Sequence, residues 1–141
     1  MKHPSGYTIK DVIEAGKERR SRFNFDQYQP DFMGLVSLNS DRGWPITSGV
    51  RPAHQVTANV LTSGEQIFFE DDLLMPGESA RAYVKLLSPE YYPHCLSVGR
   101  EINMNEGSRA IGKVKVLGSP VIGSGLPISI SLENGWPAPV G

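Results

Sequence analysis

The 141-residue chain holds a single cysteine, Cys95, and that scarcity excludes an internal disulfide framework. Without a bridge to protect, the chain reads as a protein of a reducing compartment, the cytoplasm. Long apolar runs are missing too: none approaches the roughly 20 residues a membrane-spanning helix needs. The opening Met1-Lys2-His3-Pro4 leads into charged residues instead of a signal-type stretch, so no membrane partner is expected. An excess of one charge is also absent. Fourteen Lys and Arg against fifteen Asp and Glu leave −1, so any pull on nucleic acid must come from a local basic face.

The usual constellations of chemistry are lacking as well. His3, His54 and His94 with one cysteine have no metal-ligand spacing, and no metal or cofactor is expected. His94 and Cys95 are consecutive, so in extended chain they point to opposite sides and are badly placed for proton transfer. Glu70-Asp71-Asp72 reads as a solvated acidic turn, because a divalent cation would need further oxygen ligands. No G-x-x-x-x-G-K-[ST] cradle occurs, and Gly123-Ser124-Gly125 lacks both the lysine and the strand-to-helix setting. No catalytic residue is assigned, and the chain is expected not to be an enzyme.

What is present is punctuation. Fifteen glycines and eleven prolines lie between short apolar runs, which favours many strands over a few long helices. Residues 1–30 stand apart as an N-terminal helical arm. Thr8 with Asp11 three residues on forms a capping box, Ile9, Val12 and Ile13 an apolar stripe, and Glu18 with Arg22 an i,i+4 ion pair. Gly16 weakens this helix by about 1 kcal/mol relative to alanine. Six basic and three acidic side chains in residues 1–25 make the arm net +3, so it either docks on the domain or reaches RNA or a partner.

From residue 31 the pattern is β. Strands are predicted at 32–38, 50–61, 66–70, 80–86, 96–104 and 108–117. Met75-Pro76-Gly77-Glu78 has the Pro-Gly centre of a type II turn, and Asn105-Glu106-Gly107 makes a hairpin. Ala80, Ala82, Val84 and Leu86 alternate with Arg81, Tyr83 and Lys85, the period of a half-buried strand. Val114 and Val116 oppose Lys113 and Lys115, with Ile111 out of phase and Gly112 the expected bulge. Pro89 and Pro93 break the ladder into a loop. Six strands suit a closed antiparallel barrel, which leaves no exposed edge. Residues 119–141 form a tail in which Ile128, Ile130 and Leu132 alternate with serines as one further strand.

Three segments fall in a recognisable order: Ser48-Gly49-Val50-Arg51-Pro52, Leu74-Met75-Pro76-Gly77-Glu78, and Asn105 to Gly112 running on into Val114-Lys115-Val116. Together they resemble the C-terminal barrel, domain III, of elongation factor Tu, over residues 31–118. The resemblance implies an all-β, six-stranded antiparallel Greek-key barrel, used here without the GTPase domain. It also implies tRNA-backbone contacts at Arg42, Thr62, Glu106 and Gly107, although Ala53 stands where the family has a polar glutamine.

Two functional expectations follow. The first is a non-enzymatic protein-binding module of the kind that includes immunity and antitoxin-type proteins acting by occlusion, with stiff aromatic anchors at Trp44, Tyr91, Tyr92 and Trp136. Rim loops 39–47 and 88–95 and the tail would carry those contacts. The second is an RNA-binding accessory using the four residues implied by the resemblance, with Arg51, Arg81, Arg100 and Arg109 also at strand ends or hairpins. The tail strand adds a homodimer through sheet addition as a third arrangement.

Overall fold

The computed structural model describes residues 6, 8–23, 29–69, 73–87 and 97–118. It holds one helix, α1 (Ile9–Ser21), followed by β1 (Phe32–Leu38), β2 (Ala53–Thr57), β3 (Val60–Phe68), β4 (Ser79–Leu86), β5 (Glu101–Glu106) and β6 (Arg109–Gly118). The six strands close into an antiparallel barrel in the order β1-β4-β3-β2-β5-β6, with β6 returning to pair β1. The fold class expected from the sequence is the one observed. Among the described residues no helix is long and apolar enough to cross a membrane.

The strand count agrees with the sequence reading, but the division does not. The apolar run at 50–61 is two strands: it turns at Ala58-Asn59, so β2 ends at Thr57 and β3 begins at Val60. The segment that reads as a separate strand from 66 is the end of β3. Hydropathy misplaces the break because Val60 and Leu61 continue the apolar character of Val56 straight through the turn.

Alternation sends Phe32, Val36 and Leu38 of β1 inward with Ala80, Ala82, Val84 and Leu86 of β4, and Ile102, Met104, Val114 and Val116 complete the core. Strand bulges bend the wall to closure. On β6, Ile111 is the extra residue: Met104 faces Gly112 while Asn105 faces Ala110. Ile111 is thereby turned into the core, which explains why it is out of phase with Val114.

Turn chemistry behaves as the residues dictate. Gly77 has φ +90 and the Glu78 amide donates to Met75 O at 3.0 Å, closing the Pro-Gly turn. Gly107 has φ +61 at the tip of the β5–β6 hairpin.

A second apolar cluster lies on the barrel's outside. Met33, Ile67 and Tyr83 point outward yet are buried, beneath Phe23, Phe69 and Leu117. Phe23 stacks on Tyr83 with centroids 5.2 Å apart, and Phe69 tilts against it at 4.3 Å. Tyr83 is therefore fully packed and not the half-buried residue its alternation implies. Phe23, just past α1, supplies part of the cover.

Candidate functional site

Helix α1 begins where its sequence says it should. The Thr8 hydroxyl accepts from the Asp11 amide at 3.2 Å, and the Asp11 carboxylate accepts from the Thr8 amide at 2.9 Å. Such a box satisfies two otherwise orphaned donors, worth about 1 kcal/mol. Glu18 and Arg22 make the expected i,i+4 pair at 4.0 Å.

Docking of α1 on the barrel rests on Gly16 and Arg19. Gly16 is the buried residue of the helix, and a Cβ there would lie 1.8 Å from Thr47 Oγ1. A glycine that costs the helix intrinsic stability is thus what allows the helix axis to approach the loop after β1. Arg19 reaches β3 and grips Glu65 with two parallel bonds, Nε to Oε2 at 2.8 Å and the guanidinium NH2 group to Oε1 at 2.9 Å. The Glu65 side chain is 11% exposed, so the bidentate partner is what makes its burial tolerable. Gly49, at φ +97, leaves room for the Arg19 stem, whose Cγ would stand 3.2 Å from a Cβ there.

The loop facing the helix is pinned from below. Ile46 and Leu74 exchange backbone hydrogen bonds at 3.0 and 2.8 Å, Gln66 N donates to Val50 O at 3.0 Å, and Gly49 N donates to Gln66 O at 2.8 Å. Ser48 Oγ accepts from the buried Phe68 amide at 2.8 Å. A pinned loop therefore faces a clamped helix, and between them runs an open groove of about 890 Å³. One wall is Val12, Ala15 and Arg19 of α1 with Arg22 at its C-cap; the other is residues 44–51, with Arg42 and Glu65 also lining the groove.

The structure places the sequence-predicted residues unevenly around this groove. Trp44 lines it. Arg42 lines it too, but its guanidinium is committed: it binds Glu106 at 2.6 and 3.1 Å, and it donates to Trp44 O and, at 3.3 Å, to Pro45 O. Those Arg42 bonds hold the Glu106 carboxyl below the usual carboxylate range, against a smaller upward push from burial. Arg42 and Glu106, each put forward as an RNA contact, thus meet each other and staple the loop to the β5–β6 hairpin. Gly107 is exposed at that hairpin's tip, whereas Thr62 is 7% exposed and faces the barrel interior.

The other rim arginines are engaged locally. Arg109 contacts Asp41, at its carbonyl and its carboxylate (3.2 and 3.6 Å), and Arg100 donates to Val56 O at 2.6 Å. Arg51 stays 72% exposed, 4.0 Å from Glu65. Tyr91, Tyr92, Trp136, His94, Cys95, the Glu70-Asp71-Asp72 cluster and the strand expected at 128–132 lie outside the described residues.

The sequence reading missed Arg19, Glu65 and the Gly16–Thr47 approach. The one signal available was a glycine inside an otherwise apolar-striped helix, which marks either weakness or close packing. It also missed a polar core. His54 sits fully buried between Pro52 and Gln66: Nδ1 donates to Pro52 O at 3.1 Å, because a carbonyl can only accept, so Nε2 is the acceptor for Gln66 Nε2 at 3.0 Å. Gly64 provides the space, since a Cβ there would lie 2.7 Å from the imidazole. Desolvation drives the His54 pKa down to about 4, outweighing its backbone hydrogen bonds. Burial likewise raises the Tyr83 hydroxyl far above its ordinary value. His54, Tyr83 and Glu106, the groups with displaced pKa values among the described residues, are each committed to packing or to Arg42, and none of them lines the groove.

No protein-family model matches this chain, and no curated protein matches it.

Proposed function

We propose that the chain is a non-enzymatic protein-binding module, built on a stand-alone barrel resembling domain III of elongation factor Tu. The observation that carries this is the groove between α1 and residues 44–51. Its walls are apolar at Val12, Ala15, Trp44, Ile46 and Val50, while exposed Arg22 and Arg51 stand at its rim. Stiff apolar walls with an aromatic anchor and a few cations suit a protein segment that is both apolar and acidic. Among the described residues the perturbed titratable groups serve packing and loop stapling, and the groove itself offers apolar and cationic recognition chemistry.

An RNA backbone fits less well. Phosphates recur at every nucleotide and call for a row of available cations. Here Arg19 and Arg42 are neutralised by Glu65 and Glu106.

Site-specific photo-cross-linking in the native cells tests the reading. A benzophenone side chain at Arg22, on the exposed rim of the groove, should trap a discrete protein, and the same group at Asn59 on the β2–β3 turn should not. Peptide mapping should place the adduct on an acidic, apolar segment of that protein. Equal adducts from both positions, or RNA adducts from Arg22, would refute it.

A further inference from the structure

We propose that Arg51 is the specificity-determining residue of this groove, selecting a partner segment in which a carboxylate side chain is flanked by apolar ones. This rests on the protein-binding reading above and adds the chemistry of the ligand. A second cavity of about 300 Å³ adjoins the groove, and both are lined by Arg51 and Glu65. Arg51 therefore stands where the two cavities meet. On one side lie Val50, Ile46 and Trp44; on the other lie Leu86 and the 76% exposed Leu87.

Charge at that junction is out of balance. Among the described residues lining the two cavities, Glu65 is the single carboxylate. It already accepts both Arg19 bonds, it lies 4.0 Å from Arg51, and it faces Lys85 across the β3–β4 ladder. Three cations around one anion leave a net positive surplus. Arg19 is spent in the bidentate pair, so the surplus is expressed at Arg51, which projects into solvent with its guanidinium fork exposed. A partner carboxylate placed there gains a charge-assisted contact, and its apolar neighbours fill the cavities on either side. Between the apolar surfaces the surplus is centred on Arg51, which suits an acidic residue in a peptide better than a run of phosphates.

Panning a phage-displayed library of random dodecapeptides on the full chain, and on Arg51→Ala, Arg51→Glu and Ala15→Trp variants checked for native circular dichroism, tests this. On the unmodified chain the enriched peptides should carry Asp or Glu between apolar residues. A fluorescein-labelled enriched peptide should bind Arg51→Ala about tenfold more weakly, with partial rescue by Arg51→Lys. Arg51→Glu should enrich Lys or Arg instead. Ala15→Trp, which fills the groove, should abolish binding altogether.

If peptides are lost in Ala15→Trp but carry no acidic consensus and bind Arg51→Ala unchanged, the Arg51 inference falls while the protein-binding groove stands. If no peptide is enriched, or binding ignores Ala15→Trp, both fall. A labelled 12-nucleotide RNA that binds the chain and is lost in Arg51→Ala would replace the peptide class altogether.

Discussion

His54 is a neutral imidazole sealed in a barrel core, and acid should therefore unfold this protein earlier than its carboxylates alone would. In the folded chain its pKa is about 4, against an ordinary value of 6.5. The unfolded chain thus binds a proton that the folded chain refuses between those two values. Stability is fully present above pH 6.5, falls as pH drops through the window, and loses nothing further from this group below about 4. The gap, 6.5 minus 4, is 2.5 units, which at 1.36 kcal/mol per unit amounts to about 3 kcal/mol. That is a large share of the 5–15 kcal/mol typical of a small domain.

Urea unfolding followed by tryptophan fluorescence between pH 7.5 and 4.5 would measure it, with His54→Gln as the reference for every other titrating group. The difference in unfolding free energy between the two chains should shift by roughly 2–3 kcal/mol across that range, with the native chain losing more. Parallel pH profiles would show that His54 is reached by water or protonated in place. One route to the latter is visible: Gln66 Oε1 is a buried acceptor with no hydrogen-bond partner among the described residues, and a turned amide could accept from a protonated Nε2.

Other perturbations follow from the same geometry. Gly16→Ala gains about 1 kcal/mol of helix propensity but forces a methyl into Thr47, where overpacking costs up to about 3 kcal/mol; net destabilisation and undocking of α1 should appear in hydrogen exchange of residues 9–21. Gly112→Ala sets a Cβ 2.2 Å from the Ser37 carbonyl oxygen, a backbone atom that cannot step aside, and should lower Tm by more than 10 °C if the chain folds at all. Arg42→Ala removes the Glu106 pair and two loop-carbonyl bonds, and should cost about 1–3 kcal/mol in denaturant melts. In that variant Glu106 should titrate higher in carboxylate NMR, because the hydrogen bonds that hold it down are gone.

Local rules read along the chain were enough for the architecture. The Thr8–Asp11 box, the Pro-Gly turn at 76–77, the Gly107 hairpin and the alternating faces of β4 and β6 each depend on residues a few positions apart. Sterics and burial decide those positions wherever they occur. Six half-apolar strands then leave closure as the economical way to remove edges. Where β2 ended and β3 began was not legible, because turn residues Ala58 and Asn59 interrupt an apolar run too weakly to stand out.

The site was legible only in fragments. Trp44, Arg42 and Arg51 could be singled out by residue type, but Arg42 meets Glu106 and Arg19 meets Glu65 across 64 and 46 positions of chain. No spacing rule reports such a pairing, since a guanidinium looks the same in sequence whether it faces solvent or a carboxylate. Gly16 shows the division well. Its sequence declares a weak helix, and only the position of Thr47 turns that weakness into the contact that forms the groove. The chain by itself determined a closed barrel with a capped helix, because those follow from short-range stereochemistry and the periodicity of burial. Tertiary packing alone decided which charges are spent within the molecule and which stay exposed to solvent, because Coulomb pairing depends on distance in space.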